Sequence, residues 1–128
     1  MFEGCISLET ISNIYATKLA ESCCAYMFKN CKSLKDIPTL SIQKLEASCY
    51  RGMFENCISL TDIGNKLVFN LQTTMADYCC EYMFRNCIDL KTLPSLSVKT
   101  LAKYCFHSMF ENCISLINVA TMDCKIMK

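Results

Sequence analysis

The stretch TLAKYCFHSMFENCISL, residues 100–116, contains the features that decide the fold of this chain. Cys105 and Cys113 are eight positions apart and flank the Met-Phe pair at 109–110, and His107 lies between them. Such a cluster suits a metal site, a redox site or a hydrophobic core that contains sulfur. The rest of the sequence distinguishes between these three, because it repeats the same stretch several times.

The Met-Phe pair marks an internal repeat that runs through all 128 residues. It begins at positions 1, 27, 53, 83 and 109, so the intervals are 26, 26, 30 and 26 residues. A fixed period in this range indicates a stack of short structural units. The third unit carries four extra residues within GNKLVFNLQTTM. We therefore treat the chain as a single array with units 1–26, 27–52, 53–82, 83–108 and a partial unit 109–128.

Each unit predicts a short strand followed by a helix. The strand prediction comes from an L-x-x-I step such as Leu34 to Ile37, which Pro38 follows directly as a strand end. The helix prediction comes from apolar residues spaced four apart, which form one face of an α-helix. One such series is Leu45, Cys49, Met53 and Cys57, which runs from the second unit into the third.

The predicted helix ends at a position that holds only glycine or asparagine. These two residues tolerate the left-handed conformation that closes a helix. They are Gly4, Asn30, Asn56, Asn86 and Asn112. One strand and one helix cannot bury their own apolar faces, whereas stacked copies can. The sequence therefore predicts an α/β fold, a leucine-rich-repeat solenoid of about five stacked units with short parallel strands on one face and helices on the other.

Two alternations predict how neighbouring units pack. Cys24 and Tyr26 in the first unit correspond to Tyr50 and Gly52 in the second, so large residues face small ones. One column also alternates in charge, and opposite charges in adjacent units help to fix the register. Its members are Glu3, Lys29, Glu55, Arg85 and Glu111.

The twelve cysteines lie mostly on the predicted apolar helix face, where a free thiol behaves as a small buried hydrophobe. Neighbouring helices are roughly 8–10 Å apart, which exceeds the Cα separation of about 7 Å that a disulfide allows. The column of Cys5, Cys31 and Cys57 is the exception, because strand spacing near ~5 Å would permit disulfides. That alternative stays open, and we expect most or all thiols to react under denaturing, non-reducing conditions.

The sequence offers little for catalysis, metals or cofactors. It contains no C-x-x-C spacing, and His107 occupies a column that holds Ala25, Arg51 and Glu81 elsewhere, which indicates solvent exposure. We predict no enzyme activity, no metal and no cofactor. A formal charge of +1 does not favour a nucleic-acid partner, and no apolar run approaches a membrane span. The first residues do not resemble a secretory signal.

Two candidate interaction surfaces follow from the repeat. The first is a polar column beside the predicted strands, with Glu9, Lys35, Asp36, Thr61, Asp62, Lys91, Thr92 and Asn118. The second is the insertion, where Leu67, Val68 and Phe69 lie at positions that other units lack. An exposed apolar bulge often marks a contact, although two of these three residues could instead enter the core.

The stretches TLAKYCFHSMFENCISLINV and KLEASCYRGMFENCISLTDI resemble bacterial BspA-type surface leucine-rich repeats, in which MFxxCxSL alternates with TLAxxCYxxMF. The resemblance covers essentially the whole chain. It implies a right-handed solenoid and a non-catalytic role, such as adhesion, contact with host proteins, or display on a cell or virion surface. It implies no active-site residue. The chain departs from the common form at Cys24, at Cys80 and in the insertion.

Two functions are therefore in competition. The first is a non-catalytic binding or structural module that acts in protein–protein interaction or adhesion, as part of a larger surface or virion protein or assembly. The alternative is an intracellular cysteine-rich scaffold with a redox or metal-sensing role, which needs accessible thiols of low pKa. The ends of a repeat array present apolar faces unless they are capped, so we expect a protein partner, with self-association or end-to-end stacking.

Overall fold

The computed structural model describes residues 2–14, 18–40, 43–64, 66–70 and 72–116. Two strands of two residues each, β1 (Val68–Phe69) and β2 (Ser95–Leu96), lie in this part of the chain. They pair in parallel, with Val68 opposite Ser95 and Phe69 opposite Leu96.

The predicted α/β class is wrong, because the described ranges contain no α-helix and only these two very short strands. The segments predicted as helices are series of reverse turns instead. We call these four ten-residue segments the turn ladder, and they are residues 21–30, 47–56, 77–86 and 103–112. The leucine-rich-repeat solenoid that the BspA-type resemblance implied is therefore wrong as well, and nothing in the fold supports the adhesive role.

The strands also lie elsewhere than predicted. β2 follows Pro94 directly, and the isolated parallel bridge between Leu40 and Leu67 comes two residues after Pro38. Proline has no N–H to donate to a neighbouring strand, so strand pairing begins after each proline rather than before it.

Each turn-ladder segment consists of successive four-residue turns. The N–H groups of Cys49, Met53 and Cys57 each donate to the carbonyl three residues earlier, at 3.1–3.2 Å. In these three turns the third residue has a positive φ, as type II turns require. In the turn-ladder segment 47–56 these residues are Ser48, Gly52 and Asn56, with φ of 55°, 57° and 62°. A four-residue repeat of turns places every fourth side chain on one side, which is why the spacing imitated a helix.

The left-handed conformation predicted at the glycine and asparagine column is confirmed, although these residues belong to turns rather than to helix ends. Gly4 has a φ of 75°, and the four asparagines have φ between 61° and 63°. Apart from Gly52 and Gly64, the other positive-φ positions among the described residues hold tyrosine or serine, for which this conformation is uncommon. They are Ser22, Tyr26, Ser48, Tyr78, Tyr82, Tyr104 and Ser108.

Backbone hydrogen bonds join each turn-ladder segment to the next. Alternate N–H groups from Ser48 to Asn56 donate to alternate carbonyls from Asp77 to Arg85, at 2.8–3.0 Å. The same pattern of five bonds joins residues 22–30 to 47–55, and residues 78–86 to 103–111. All of these N–H groups point towards the C-terminal neighbour, so the ladder has one direction. Most of the remaining N–H groups close the turns, which leaves few backbone groups of the interior units unsatisfied.

A column of phenylalanines runs through the core of the stack. Successive rings from Phe2 through Phe28, Phe54, Phe84 and Phe110 are stacked, with centroids 5.4–5.7 Å apart. Phe28, Phe54 and Phe84 are almost completely buried. The ring spacing shows that neighbouring units lie closer together than packed helices do.

The predicted alternation of large and small residues is confirmed on the turn ladder. A Cβ atom added to Gly52 would lie 2.4 Å from the ring of Tyr26, so the tyrosine occupies the space that the glycine leaves. Cys24 and Tyr50, which exchange sizes in the same way, are both buried. Side chains of neighbouring units therefore interlock along the stack.

The remaining part of each unit, which we call the connecting side, is less regular. It comprises the described residues of 5–20, 31–46, 57–76, 87–102 and 113–116. Leu34, Ile37, Leu60 and Ile63 are fully buried there and line the core opposite the turn ladder. Strand β1 lies in the insertion on this side, so the extra residues of the third unit leave the turn ladder unchanged.

Candidate functional site

The predicted polar column lies on the connecting side, where its side chains pair with charged residues of the neighbouring units. Lys35 Nζ lies 3.9 Å from Glu9 Oε1, and both side chains are about two-thirds exposed. Asp36 forms an ion pair with Lys66. Asn118 lies outside the described residues. The structure therefore brings these four side chains together as two pairs between units.

The other members of the column are also linked between units. Asp62 Oδ1 accepts hydrogen bonds from the N–H of Gly64 at 2.7 Å and from the hydroxyl of Thr92 at 2.8 Å. These two bonds, the first more than the second, lower the pKa of Asp62. The N–H of Lys91 donates to the carbonyl of Thr61 at 2.9 Å. This column stays a predicted interaction face.

The insertion contributes to the core. Leu67 and Phe69 are buried, and Val68 is half-buried. The ring of Phe69 lies 6.1 Å from that of Phe106, which belongs to the turn ladder. Two of the three candidate contact residues are therefore unavailable to a partner.

Eleven cysteines lie in the described part of the chain, all as free thiols, and nine of them are buried. Cys5 is half-buried, and Cys23 is exposed with its sulfur 3.7 Å from that of Cys24. The column of Cys5, Cys31 and Cys57, for which a disulfide remained open, contains free thiols.

Four buried thiols hydrogen-bond across the units. Cys57, for example, donates to the carbonyl of Phe28 at 3.2 Å, and the same carbonyl accepts the turn N–H of Cys31. The four donors are Cys31, Cys57, Cys87 and Cys113, at 3.0–3.2 Å. The sequence showed the Met-Phe-x-x-Cys spacing, but this role was missed because the acceptor belongs to the preceding unit.

Burial also sets the ionisation of the thiols. It raises the pKa of Cys49 and of Cys57 to about 12. Cys79 is an exception, because a hydrogen bond with the thiol of Cys80 lowers its pKa, but its side chain is completely buried. A redox or metal-sensing role requires accessible thiolates, and none of Cys49, Cys57 and Cys79 is accessible.

His107 is only partly exposed, whereas the sequence predicted an exposed residue. Its Nδ1 lies 3.1 Å from Oε1 of the buried Glu81, and the rings of Tyr82 and Tyr104 contact it edge-on at 5.8 and 5.1 Å. Among the described residues, no three or more histidines, cysteines, aspartates or glutamates are grouped so that they could hold a metal ion.

The predicted charge alternation is confirmed on the outer surface of the turn ladder. Glu55, which is buried, pairs with Lys29 at 3.6 Å and with Arg85 at 3.4 Å. Arg85 also lies 4.0 Å from Glu111. Each of these residues therefore has an opposite charge in a neighbouring unit.

A row of asparagine side chains runs beside the charged column. Asn56 Nδ2 donates to Asn30 Oδ1 at 2.7 Å, and the same bond is repeated from Asn86 to Asn56 and from Asn112 to Asn86. Every amide therefore donates towards the N-terminal unit. The equivalent position before Asn30 is Gly4, which has no side chain.

The last turn-ladder segment has a row of backbone donors without acceptors among the described residues. We call this row the donor edge, and it consists of the N–H groups of Tyr104, Phe106, Ser108, Phe110 and Asn112. In the three preceding segments the equivalent N–H groups all cross to the next unit, but none of these five donates to an acceptor among the described residues. Such a row is a template for pairing with another polypeptide.

The first turn-ladder segment has a row of backbone acceptors without donors among the described residues. The carbonyls of Glu21, Cys23 and Ala25 are equivalent to the carbonyls that accept the crossing bonds at positions 47, 49 and 51. They receive no hydrogen bond from the part of the chain that the structure describes. We call these three carbonyls the acceptor edge. Sequence patterns of side chains could not show either edge, because both consist of backbone groups.

Comparisons with protein families, with curated proteins and with solved structures found no match to this chain. The described residues contain no helix that is long and apolar enough to cross a membrane.

Proposed function

We propose that this chain is a non-catalytic structural module that binds protein by adding another polypeptide edge to its turn ladder. The single observation that supports this proposal is the donor edge, in which five N–H groups point in one direction without acceptors among the described residues. Three junctions inside the molecule show how such a row is completed, each with five hydrogen bonds at 2.8–3.0 Å. Addition of an edge to an open sheet is a common mode of protein recognition.

The geometry of the donor edge defines the partner. The alternate N–H groups require a chain whose alternate carbonyls all point one way, and this is the arrangement of another turn ladder. Phe110 at this edge is half-buried, and among the described residues its ring stacks on Phe84 alone. A matching partner therefore supplies both a row of carbonyls and an aromatic ring. Self-association and end-to-end stacking belong to this mode of binding.

A peptide probe tests the donor edge. The probe is the synthetic peptide AESCCAYMFKNC, residues 20–31, which carries one turn-ladder segment, and it is added to ¹⁵N-labelled protein under reducing conditions. We expect saturable shifts of the amide signals of residues 104–112 and hydrogen exchange there at least roughly tenfold slower, because hydrogen-bonded amides are protected.

A scrambled peptide of the same composition is the control. Protection by the scrambled peptide, or changes spread evenly over the surface, would contradict the proposed function. Absence of any shift at millimolar probe would contradict it as well.

A further inference from the structure

We infer that the donor edge binds a second copy of this chain, and that residues 110–116 of one copy replace residues 2–8 of the other. This inference rests on the proposed function of the donor edge. It makes the interface a head-to-tail one, in which the end of one stack continues as the beginning of the next.

The two segments are almost the same in sequence. Residues 109–116 read MFENCISL and residues 1–8 read MFEGCISL, so they differ only at Asn112 and Gly4. Residues 53–60 also read MFENCISL, and this segment lies between two neighbouring units in the interior. The interior copy shows that this sequence can pack against units on both sides.

We call residues 2–8 the resident segment. Residues 110–116 of another copy can reproduce each of its contacts. The N–H of Phe2 donates to the carbonyl of Met27 at 2.9 Å, and the carbonyl of Phe2 accepts a hydrogen bond from the thiol of Cys31 at 3.0 Å. The ring of Phe2 stacks on that of Phe28. Phe110 has the same backbone groups and the same ring. The replacement therefore loses none of these interactions on the second copy.

The replacement adds interactions that the resident segment lacks. Asn112 in place of Gly4 offers its Oδ1 to Asn30 of the second copy, and so continues a row whose existing bonds measure 2.7–2.8 Å. The N–H groups of Tyr104, Phe106 and Ser108 meet the acceptor edge of the second copy. These bonds are equivalent to those that already join neighbouring units.

Side-chain size and charge are also complementary across this junction. Ser108 would face Tyr26 of the second copy, in the way that Gly52 lies under Tyr26 inside one molecule. Glu111 would lie between Arg85 of its own copy and Lys29 of the second copy, so that the alternation of charge continues. The packing that relates neighbouring units inside one molecule is therefore also the packing proposed between the two molecules.

The resident segment is the part of the stack that is easiest to displace. Phe2 is 40% exposed and Ile6 is 63% exposed, whereas Phe54 in the interior is fully buried. Little apolar surface returns to water when residues 2–8 leave. Because a head-to-tail contact uses different surfaces on the two molecules, it does not close after two copies, and further copies can add.

Three variants test this exchange by sedimentation velocity in reducing buffer, from micromolar to millimolar protein. We expect concentration-dependent association of the unmodified chain. Phe2→Ala weakens the resident segment and should tighten association several-fold. Asn112→Gly and Gly4→Asn should each weaken association roughly three- to tenfold, because the first removes the added amide bond and the second gives it to the resident segment.

Circular dichroism and thermal melting establish that each variant is folded. Weaker association of Phe2→Ala would overturn the exchange, because it would place residues 2–8 themselves in the interface. Tighter association of Gly4→Asn would overturn it for the same reason. If the full chain stays monomeric while the peptide probe protects residues 104–112, this inference fails and the proposed function stands. If the probe also fails, the proposed function fails too.

Discussion

The turn ladder and the connecting side differ in how completely they bond to the neighbouring unit. On the turn ladder, every internal junction has the same five backbone bonds. On the connecting side, the crossing bonds are scattered, such as those from the N–H groups of Lys35, Leu40 and Lys91 at 2.6–2.9 Å. The extra residues of the third unit are found on the connecting side alone, and each turn-ladder segment keeps ten residues.

This difference shows which side sets the register of the stack. On the turn ladder, N–H groups that cross to the next unit alternate with N–H groups that close turns. One inserted residue would exchange the two sets and would leave both without partners, in the same way that a slip of one residue inverts a strand. The connecting side has no such alternation, and it therefore tolerates a change of length.

The largest effect is expected from Phe54→Ala. This variant tests how much packing on the turn-ladder side contributes to the free energy of unfolding. The ring is fully buried between Phe28 and Phe84, so its loss leaves a cavity and should lower the free energy of unfolding by about 3–5 kcal/mol. Urea denaturation followed by circular dichroism measures this change. Ile88→Ala, at an exposed position on the connecting side, is the control and should cost less than half as much. Equal costs would contradict the comparison.

The next effect separates backbone conformation from packing. Gly52→Ala places a methyl group against the Tyr26 ring at a positive φ, and we expect a loss of about 2–4 kcal/mol. Gly64→Ala is a matched control on the connecting side, because Gly64 has a φ of 53° but no atom within 4 Å of the added Cβ. That variant should cost only about 1 kcal/mol, as measured by the same urea transition.

Trimming Tyr26 to alanine in the Gly52→Ala background should recover part of the loss, because it makes space for the methyl group. Similar losses for the two glycines, without such recovery, would show that the interlocking of Tyr26 and Gly52 contributes little.

A smaller effect concerns the buried thiols and alkaline pH. Burial raises the pKa of Cys57 from 9.0 to about 12, so the unfolded chain loses this proton first. The contribution of the thiol to stability is therefore complete below pH 9 and is lost as the pH rises towards 12. In Cys57→Ala, the decrease in unfolding free energy between pH 8 and about pH 10.5 should be about 1–2 kcal/mol smaller than in the unmodified chain.

Urea transitions at the two pH values, with a reductant present, measure this difference. Cys23→Ala is the control, because Cys23 is exposed and should change the dependence on pH little. The same decrease in Cys57→Ala and in the unmodified chain would show that the Cys57 thiol ionises as freely as an exposed one.

The smallest effect is expected on the polar column. Replacing Lys35, Asp36 and Lys91 together by alanine should change stability by less than about 1 kcal/mol, because exposed ion pairs contribute little. Urea denaturation checks this expectation. The AESCCAYMFKNC probe should still protect residues 104–112 in this triple variant. Loss of probe binding would show that the probe binds to the polar column rather than to the donor edge.

The error in the fold prediction came from a spacing that two structures share. Apolar residues exactly four apart suit an α-helix only over short distances, because a helix of 3.6 residues per turn drifts by about 40° at each such step. The spacing continues without drift from Leu45 in the second unit to Cys57 in the third, and Gly52 lies within it. These two features favour repeated four-residue turns, and they were visible in the sequence.

The candidate site could be predicted only in part. The charged column of Glu55 and Arg85 and the size alternation of Tyr26 and Gly52 follow from side-chain types, and both are confirmed. The donor edge consists of N–H groups, which every residue except proline carries. No choice of side chains marks these groups as open, so only the hydrogen-bond pattern of the folded chain identifies them.

The sequence by itself determined the period of the repeat and the left-handed positions at glycine and asparagine, because the tolerance for positive φ is a property of single residues. Only the tertiary structure decided between helix and turn. In a helix each N–H finds its acceptor four residues away, whereas here half of the N–H groups in the first three turn-ladder segments find theirs 25 or 29 residues away, in the next unit. A choice that depends on such distant partners is not encoded in any local stretch of the chain.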